Sequence, residues 1–159
     1  MFIDKVTVRA IAGTGGSGCQ SFRRESLVPM GGPDGGDGGR GGDVIVRGDS
    51  NLATLLDYTY RDEWAADRGQ HGMGSNMTGR SGKDIYMPVP PGTIVRDATT
   101  GEVIADVLAD GEEFIVAKGG RGGKGNAFFV TPTHQSPREW QPGEDGQERT
   151  LELELKLIA

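Results

Sequence analysis

The protein has 159 residues, including 28 glycines and eight prolines, with a net charge of −6 and a hydrophobic fraction of 35%. This length suits one domain with a small core, and no apolar run reaches the 18 residues of a membrane span. The N-terminus lacks a secretory pattern and the single cysteine, Cys19, cannot form an internal disulfide, so we expect a cytoplasmic protein. The acidic balance argues against bulk, non-specific binding of nucleic acid.

The first half of the chain contains several strand-like segments. Residues 2–12 and 43–47 are rich in β-branched side chains, which favour strands. Residues 52–60 are apolar and compatible with a helical turn, but Tyr58, Thr59 and Tyr60 favour a strand. Residues 85–89 and 93–96 predict strands that Pro88, Pro90 and Pro91 confine to edges or corners.

The second half completes the prediction of a mainly β fold. Residues 102–108 and 112–117 flank Ala109-Asp110-Gly111, a hairpin signal, and residues 150–158 place alternate leucines on one face. Seven or eight short strands, at least some antiparallel, predict a small barrel or sandwich. We assign the strand base to residues 1–12, 43–60, 85–117 and 150–159 of a single domain, 1–159.

Two glycine-rich stretches repeat with a period of three. Residues 35–42 carry two glycines per triplet with Asp37 and Arg40 in the third place, and residues 119–125 repeat this with Arg121 and Lys124. Three residues per turn is the repeat of a polyproline II helix. A flexible linker has similar composition, but the regular spacing favours order, and collagen would need a sustained Gly-X-Y repeat. We therefore predict a projecting lobe of polyproline II helices from residues 13–42, 61–84 and 118–149, with these structural glycines: Gly35, Gly36, Gly38, Gly39, Gly41, Gly42, Gly119, Gly120, Gly122, Gly123 and Gly125.

The chain lacks a recognisable catalytic constellation. Around Gly123-Lys124, Lys118 stands where a phosphate-binding P-loop needs glycine, and Gly125 stands where it needs serine or threonine. Cys19, His71 and His134 lack metal-ligand spacing. We predict no catalytic residue, no metal site and no cofactor in this chain. Trp64 and Trp140 are interpreted as structural anchors under loops, with stacking on RNA bases as the alternative.

The cations point towards recognition of an anion. Twelve of the 17 Lys and Arg residues lie on the glycine-rich segments. If these segments align, their far ends bring together five cations that suit RNA phosphates: Arg23, Arg24, Arg80, Lys83 and Arg138. Solvated surface charge, or salt bridges within the lobe, is the alternative for each.

Several motifs resemble the Obg family of bacterial GTPases along the whole chain. They are Phe22-Arg23-Arg24-Glu25, Val28-Pro29-x-Gly31-Gly32-Pro33-x-Gly35-Gly36-Asp37-Gly38-Gly39-x-Gly41-Gly42, Gly69-x-His71-Gly72, Val89-Pro90-Pro91-Gly92-Thr93, Gly119-Gly120-Arg121-Gly122-Gly123-x-Gly125-Asn126 and Thr131-Pro132. The resemblance implies the Obg fold, a bundle of polyproline II helices on a β-barrel base. It also implies that a GTPase domain holding GTP and Mg²⁺ follows in the full protein, and that this chain is its non-catalytic N-terminal domain.

The resemblance further implies a role in assembly of the large ribosomal subunit under GTP and stringent-response control. Loop tips of the lobe would approach the peptidyl transferase centre, with Arg23, Arg24, Arg80 and Lys83 contacting ribosomal RNA. The family often has lysine where this chain has Met30, and Arg138 depends on the charge argument alone. The alternative is a protein-interaction module for stress-response regulators. Neither membrane nor DNA is expected as a partner.

Overall fold

The computed structural model describes residues 2–23 and 31–157. Its strands are β1 (Phe2–Ile11), β2 (Val44–Gly48), β3 (Glu63–Ala65), β4 (Ile85–Val89), β5 (Thr93–Asp97), β6 (Val103–Val107), β7 (Glu113–Ala117) and β8 (Glu148–Leu157). Two short 3₁₀ helices span Leu56–Thr59 and Asn126–Phe129. The predicted mainly β fold is confirmed.

The strands form two sheets. A five-stranded sheet has the order β3-β1-β8-β5-β6, and a three-stranded sheet has the order β4-β2-β7. The longest pairing joins β1 and β8 in antiparallel register from Phe2↔Leu157 to Ile11↔Glu148. β3 pairs with β1, and β4 with β2, in parallel. The sheets do not close into a barrel. Of the two predicted arrangements, barrel and sandwich, the structure therefore has the sandwich.

Both sheets contribute to one hydrophobic core. Leu151, Leu153 and Leu155 of β8 are fully buried, as their alternation predicts. They share the core with Val46 of β2 and Met87 of β4 in the other sheet. The core therefore lies between the sheets, and the glycine-rich segments lie outside it.

The predicted hairpin around Ala109-Asp110-Gly111 is wrong. β6 and β7 flank this turn, but β6 pairs with β5 and β7 pairs with β2 in the other sheet. The turn is held to the end of β2, because Gly111 N donates to Gly48 O and Gly48 N donates to Glu112 O, each at 2.9 Å. These bonds carry the chain from one sheet to the other.

The strand expected at residues 52–60 is also wrong. This segment forms the 3₁₀ helix Leu56–Thr59, because the Asp4 carboxylate accepts hydrogen bonds from Leu55 N and the Thr54 hydroxyl, both at 2.8 Å, and turns the chain. Tyr58 points inward, is buried, and donates its hydroxyl proton to Pro88 O. Burial raises the pKa of this phenol.

The proline argument is right for one strand and wrong for another. β4, which contains Pro88, is an edge strand. β5 contains no proline and lies inside its sheet between β8 and β6. Pro90 and Pro91 lie in the turn between β4 and β5, so they end strands without interrupting one.

Six extended segments form the glycine lobe, which we define as residues 13–23, 31–42, 66–74, 77–84, 118–125 and 137–147. They run alternately away from and towards the strand base. Gly13, Gly16 and Cys19 donate their N–H groups to the carbonyls of Gly42, Gly39 and Gly36 at 2.8–2.9 Å. The same three-residue step recurs between the other neighbouring segments, as expected for backbones with three residues per turn.

Glycine is required here because the backbones approach so closely. At 23 of the 28 glycines a Cβ atom would lie within 3.0 Å of a backbone carbonyl oxygen, a separation that real Cβ atoms essentially never show. Among the glycines of the described residues, only Gly92, Gly101 and Gly111 have positive φ, and all three lie in turns of the strand base. Since the missing side chain would point at a carbonyl oxygen, the glycine hydrogen in that direction makes a Cα–H···O contact.

The acids in the third position of the glycine triplets bind the neighbouring backbone. The Asp37 carboxylate accepts from Gly125 N at 2.9 Å, and the Asp43 carboxylate accepts from Gly119 N at 2.7 Å. Arg40 lies between them in sequence, is exposed, and forms a 2.7 Å ion pair with Asp43. The carboxylates of Asp37 and Asp43 therefore help to join the backbone of residues 31–43 to segment 118–125.

Replacement of a lobe glycine by alanine tests whether the close approach of neighbouring backbones requires glycine. We expect Gly38→Ala to lower the free energy of unfolding by at least about 2 kcal/mol, within the usual range for overpacking, because its Cβ would clash with the carbonyl of Gly16. Urea unfolding followed by circular dichroism measures this. The matched control is Gly32→Ala, since no described atom lies within 4 Å of a Cβ there. Equal stability of Gly38→Ala and wild type would contradict the packing argument.

The turn between β5 and β6 is expected to stabilise the fold less at acid pH than at neutral pH. The N–H groups of Thr100 and Thr99 and the Arg149 guanidinium all donate to Asp97, and these bonds lower the pKa of its carboxyl group. Asp97 therefore stabilises the fold at neutral pH, and this contribution is lost as the pH falls below about 4 and through the lowered pKa. The stability difference between wild type and Asp97→Asn should shrink between pH 7 and pH 3 in urea unfolding. A constant difference over this range would exclude the effect.

Candidate nucleic-acid interface

The far end of the lobe is where segments 13–23 and 31–42 meet. Phe22 and Pro33 form an isolated antiparallel bridge, and Arg23 N donates to Gly32 O at 2.8 Å. Arg23 is exposed at this end. Arg24, the second cation predicted for this tip, and Met30 lie outside the described residues.

A tight turn at residues 73–77 is attached to the same end. Met73 and Met77 form a bridge, and Ser75 and Asn76 between them adopt φ values of 60° and 57°. Asp34 holds this turn: its carboxylate accepts from Ser75 N at 3.0 Å and its carbonyl accepts from Asn76 N at 2.7 Å. The strained backbone of the turn is thus stabilised from segment 31–42.

Asn126 ties three segments together near this end. Its side chain is fully buried and accepts from Gly35 N at 2.8 Å and from Ser21 N at 3.3 Å. Its amide nitrogen donates to Ser21 O at 2.9 Å and to Pro137 O at 3.1 Å. Sequence reasoning assigned no role to Asn126, and its position directly after the second glycine repeat was the only available signal.

The predicted cations do not all meet at the far end, so that expectation is wrong. Lys83 lies beside Gly42 and Asp67 next to the strand base, and its carbonyl accepts from Asp67 N at 3.1 Å. Arg80 lies one triplet further out, opposite Gly39, where its carbonyl accepts from Gln70 N. The three-residue step spreads these cations along the side of the lobe.

Arg138 lies in the far half of the lobe. Arg138 follows Pro137, whose carbonyl accepts a hydrogen bond from the side-chain amide of Asn126. The same amide donates to the carbonyl of Ser21, which lies two residues before Arg23 in the chain. The structure therefore places Arg23 and Arg138 towards the far end. Arg80 and Lys83 lie on the shaft, which we define as the part of the lobe between the far end and the strand base.

Several lobe cations remain available to an anion. Within residues 2–23 and 31–157, the exposed side chains of five lobe cations form no ion pair: Arg68, Arg80, Lys83, Lys118 and Arg138. Arg68 was not singled out from sequence. It lies on segment 66–74, which hydrogen bonds to the segment that carries Arg80 and Lys83. Two adjacent segments thus carry three unpaired cations.

Other lobe cations are paired with acids. Arg121 binds Glu144 through two hydrogen bonds of 2.9 and 3.2 Å, which raises the pKa of Arg121 and lowers that of Glu144. Lys124 forms a 3.4 Å ion pair with Asp37. The alternative expectation of salt bridges within the lobe holds for these cations, which were not among the predicted contacts.

The two tryptophans differ. Trp64 is buried, its indole N–H donates to Arg61 O at 3.1 Å, and its ring lies 5.3 Å from that of Tyr58, so its interpretation as an anchor is confirmed. Trp140 is 48% exposed, and the same interpretation is wrong for it. Met73, Met77, Phe128 and Val130 are also exposed large apolar side chains of the lobe and its far loops.

Both histidines have local polar contacts. His71 accepts from Ser17 N at 3.0 Å through Nδ1 and is 2.9 Å from the Ser17 hydroxyl, while His134 Nε2 lies 3.0 Å from Glu139. Among the described residues no three His, Cys, Asp or Glu side chains cluster as metal ligands. None of the described helices is long and apolar enough to cross a membrane.

Comparison with known proteins places this architecture in a family. The pattern of the GTP1/OBG family matches residues 3–157. A GTPase Obg of Thermodesulfovibrio yellowstonii is 61% identical over 158 residues, covering 99% of this chain and 47% of the relative. A GTPase Obg of Chloroherpeton thalassium is 56% identical over 159 residues, covering 100% of this chain and 48% of the relative. The chain therefore spans about half the length of the curated relatives it matches, and it belongs to the GTP1/OBG family.

Proposed function

We propose that this chain is the N-terminal, RNA-binding domain of a GTPase Obg that acts on the large ribosomal subunit. The observation that carries the proposal is the glycine lobe, a hydrogen-bonded projection whose far loops are joined by Asn126 and Asp34 and whose side carries unpaired cations. A projection of this kind suits insertion between RNA elements, where phosphates and 2′-hydroxyls supply the contacts. The strand base holds the lobe in place.

The proposed contacts fall into two groups. Arg23, Arg24 and Arg138 would contact ribosomal RNA at the far end, and Arg80 and Lys83 would contact phosphates along the side. We add Arg68 to the second group, because it lies on the neighbouring segment and is exposed without an ion pair among the described residues. Contacts at both places would fix the depth and the orientation of the lobe in the subunit.

We also propose a division of labour in the full protein. The relatives' name attributes GTPase activity to proteins twice as long as this chain. GTP, Mg²⁺ and hydrolysis would then belong to the part that this chain does not cover, and the nucleotide there would control subunit assembly and its response to starvation signals. This chain alone would bind RNA without turnover.

Salt dependence tests the shaft contacts. The purified chain should co-sediment with isolated large subunits, and the triple variant Arg68→Gln, Arg80→Gln, Lys83→Gln should bind more weakly. The slope of log affinity against log salt should decrease by about 0.7–0.9 for each phosphate contact removed. The matched control is Lys5→Gln, Arg9→Gln, Arg47→Gln, which removes the same charge from the strand base. Equal weakening by both triple variants would refute a specific cationic face.

The partner class separates this proposal from its alternative. If the chain captures stress-response proteins after nuclease treatment and does not sediment with subunits, it is a protein-interaction module. The double variant Arg23→Ala, Arg24→Ala tests the far end by the same sedimentation assay. Wild-type binding of that variant at every salt concentration would remove these two residues from the interface.

We expect an ordered far end of the lobe to contribute to subunit affinity independently of its charge. Asn126→Ala leaves Gly35 N, Ser21 N and Pro137 O without their Asn126 partner, so we expect faster amide exchange at Gly35 and Ser21. Subunit affinity should fall while the salt slope stays unchanged, because no charge is lost. A loss of protection that spread equally to β1 and β8 would instead indicate global destabilisation.

A further inference from the structure

A groove on the side of the lobe combines an exposed aromatic ring with cations. It has a volume of about 750 Å³ and lies between segments 31–42, 118–125 and 137–147. The lining residues that matter here are Asp37, Arg40, Arg121, Lys124, Phe128 and Glu144. None of them is among the contacts proposed above.

Phe128 is held in place yet left uncovered. It belongs to the 3₁₀ helix that begins at the buried Asn126, and its ring meets Phe129 edge-on, with centroids 5.3 Å apart and an interplanar angle of 88°. Nevertheless 61% of Phe128 is exposed. Phe128 also lines a second, smaller groove of about 270 Å³. A positioned ring between two grooves offers aromatic surface that the packing of the chain does not use.

The charges around this ring favour an anionic, planar ligand. Lys124 Nζ lies 5.1 Å from the centroid of the Phe128 ring. Arg121 is highly exposed, and its pair with Glu144 leaves part of its guanidinium free to donate. Arg121 and Lys124 pair there with Glu144 and Asp37, and exposed ion pairs of this kind contribute so little stability that a phosphate can displace the acid. Arg40 is held by Asp43 and Asp84.

We propose that this groove binds one unpaired nucleotide of single-stranded RNA, with the base stacked on Phe128 and a phosphate held by Arg121 and Lys124. The inference deepens the proposed function and depends on it for the source of the nucleotide. Aromatic stacking with a basic wall is the general arrangement by which proteins hold unpaired bases. A free nucleotide has the same chemistry, so the experiment must distinguish the two sources.

The direct test uses a hexamer of riboadenylate labelled with fluorescein at its 3′ end. Its affinity for the chain, measured by fluorescence anisotropy, should fall at least about fivefold in Phe128→Ala, the effect expected from loss of one stacked base. Phe128→Trp should retain binding. The matched control is Tyr60→Ala, because Tyr60 is an even more accessible aromatic residue of the strand base, 83% exposed. Circular dichroism verifies folding, and Phe128→Leu provides a second variant should Phe128→Ala misfold.

Two further ligands identify what the groove recognises. An abasic hexamer should bind wild type and Phe128→Ala equally, since no base remains to stack. AMP should displace the hexamer only weakly if the groove takes an RNA nucleotide, whereas displacement at similar concentrations would assign it to a free nucleotide. Equal affinity of wild type, Phe128→Ala and Phe128→Leu for the labelled hexamer overturns the proposal.

Sedimentation with large subunits separates this inference from the proposed function. Unchanged subunit binding by Phe128→Ala, together with unchanged hexamer binding, removes the groove and leaves the ribosomal proposal standing. Failure of the wild-type chain to bind subunits removes the ribosomal proposal, while the hexamer and AMP measurements still decide whether the groove binds a nucleotide.

Discussion

The backbone hydrogen bonds between the lobe segments are the interaction on which the rest of this protein depends. They recur every third residue and form only because the segments approach within a distance that no Cβ atom tolerates. Ordering glycine costs more conformational entropy than ordering any other residue. Here the N–H···O bonds and the Cα–H···O contacts offset that cost, because every segment bonds to at least two others.

In this protein the strand base and the lobe are stabilised in different ways, whereas most domains depend on one apolar core. The strand base has an ordinary apolar core between two sheets, while the lobe is held by backbone polar groups and has almost no apolar interior. Side chains of the lobe are therefore free to serve at its surface. Asp37 and Asp43 bind neighbouring N–H groups, whereas Arg80 and Lys83 remain exposed.

Position along the lobe distinguishes its candidate contacts. The far loops are joined by buried polar side chains, Asn126 and Asp34, which specify how three segments end. The shaft carries cations on one side and the groove with Phe128 on another. A partner that encloses the lobe would meet each of these surfaces at a different depth, as the proposed insertion into RNA requires.

The sequence by itself determined most of the strands, the three-residue glycine repeat and the family resemblance, because these depend on local pattern. It missed β3, which lies in a segment predicted to belong to the lobe and forms by pairing with β1. Alternation identified the buried face of β8, and the spacing of the glycines identified segments with three residues per turn. Only the tertiary structure decided which strands pair and which cations meet. The turn at Ala109-Asp110-Gly111 is compatible with a hairpin, but its bonds to the end of β2 send β7 to the other sheet. Likewise, the place of Lys83 near the base and the burial of Asn126 follow from the register between distant segments, and register depends on partners that lie tens of residues away in the chain.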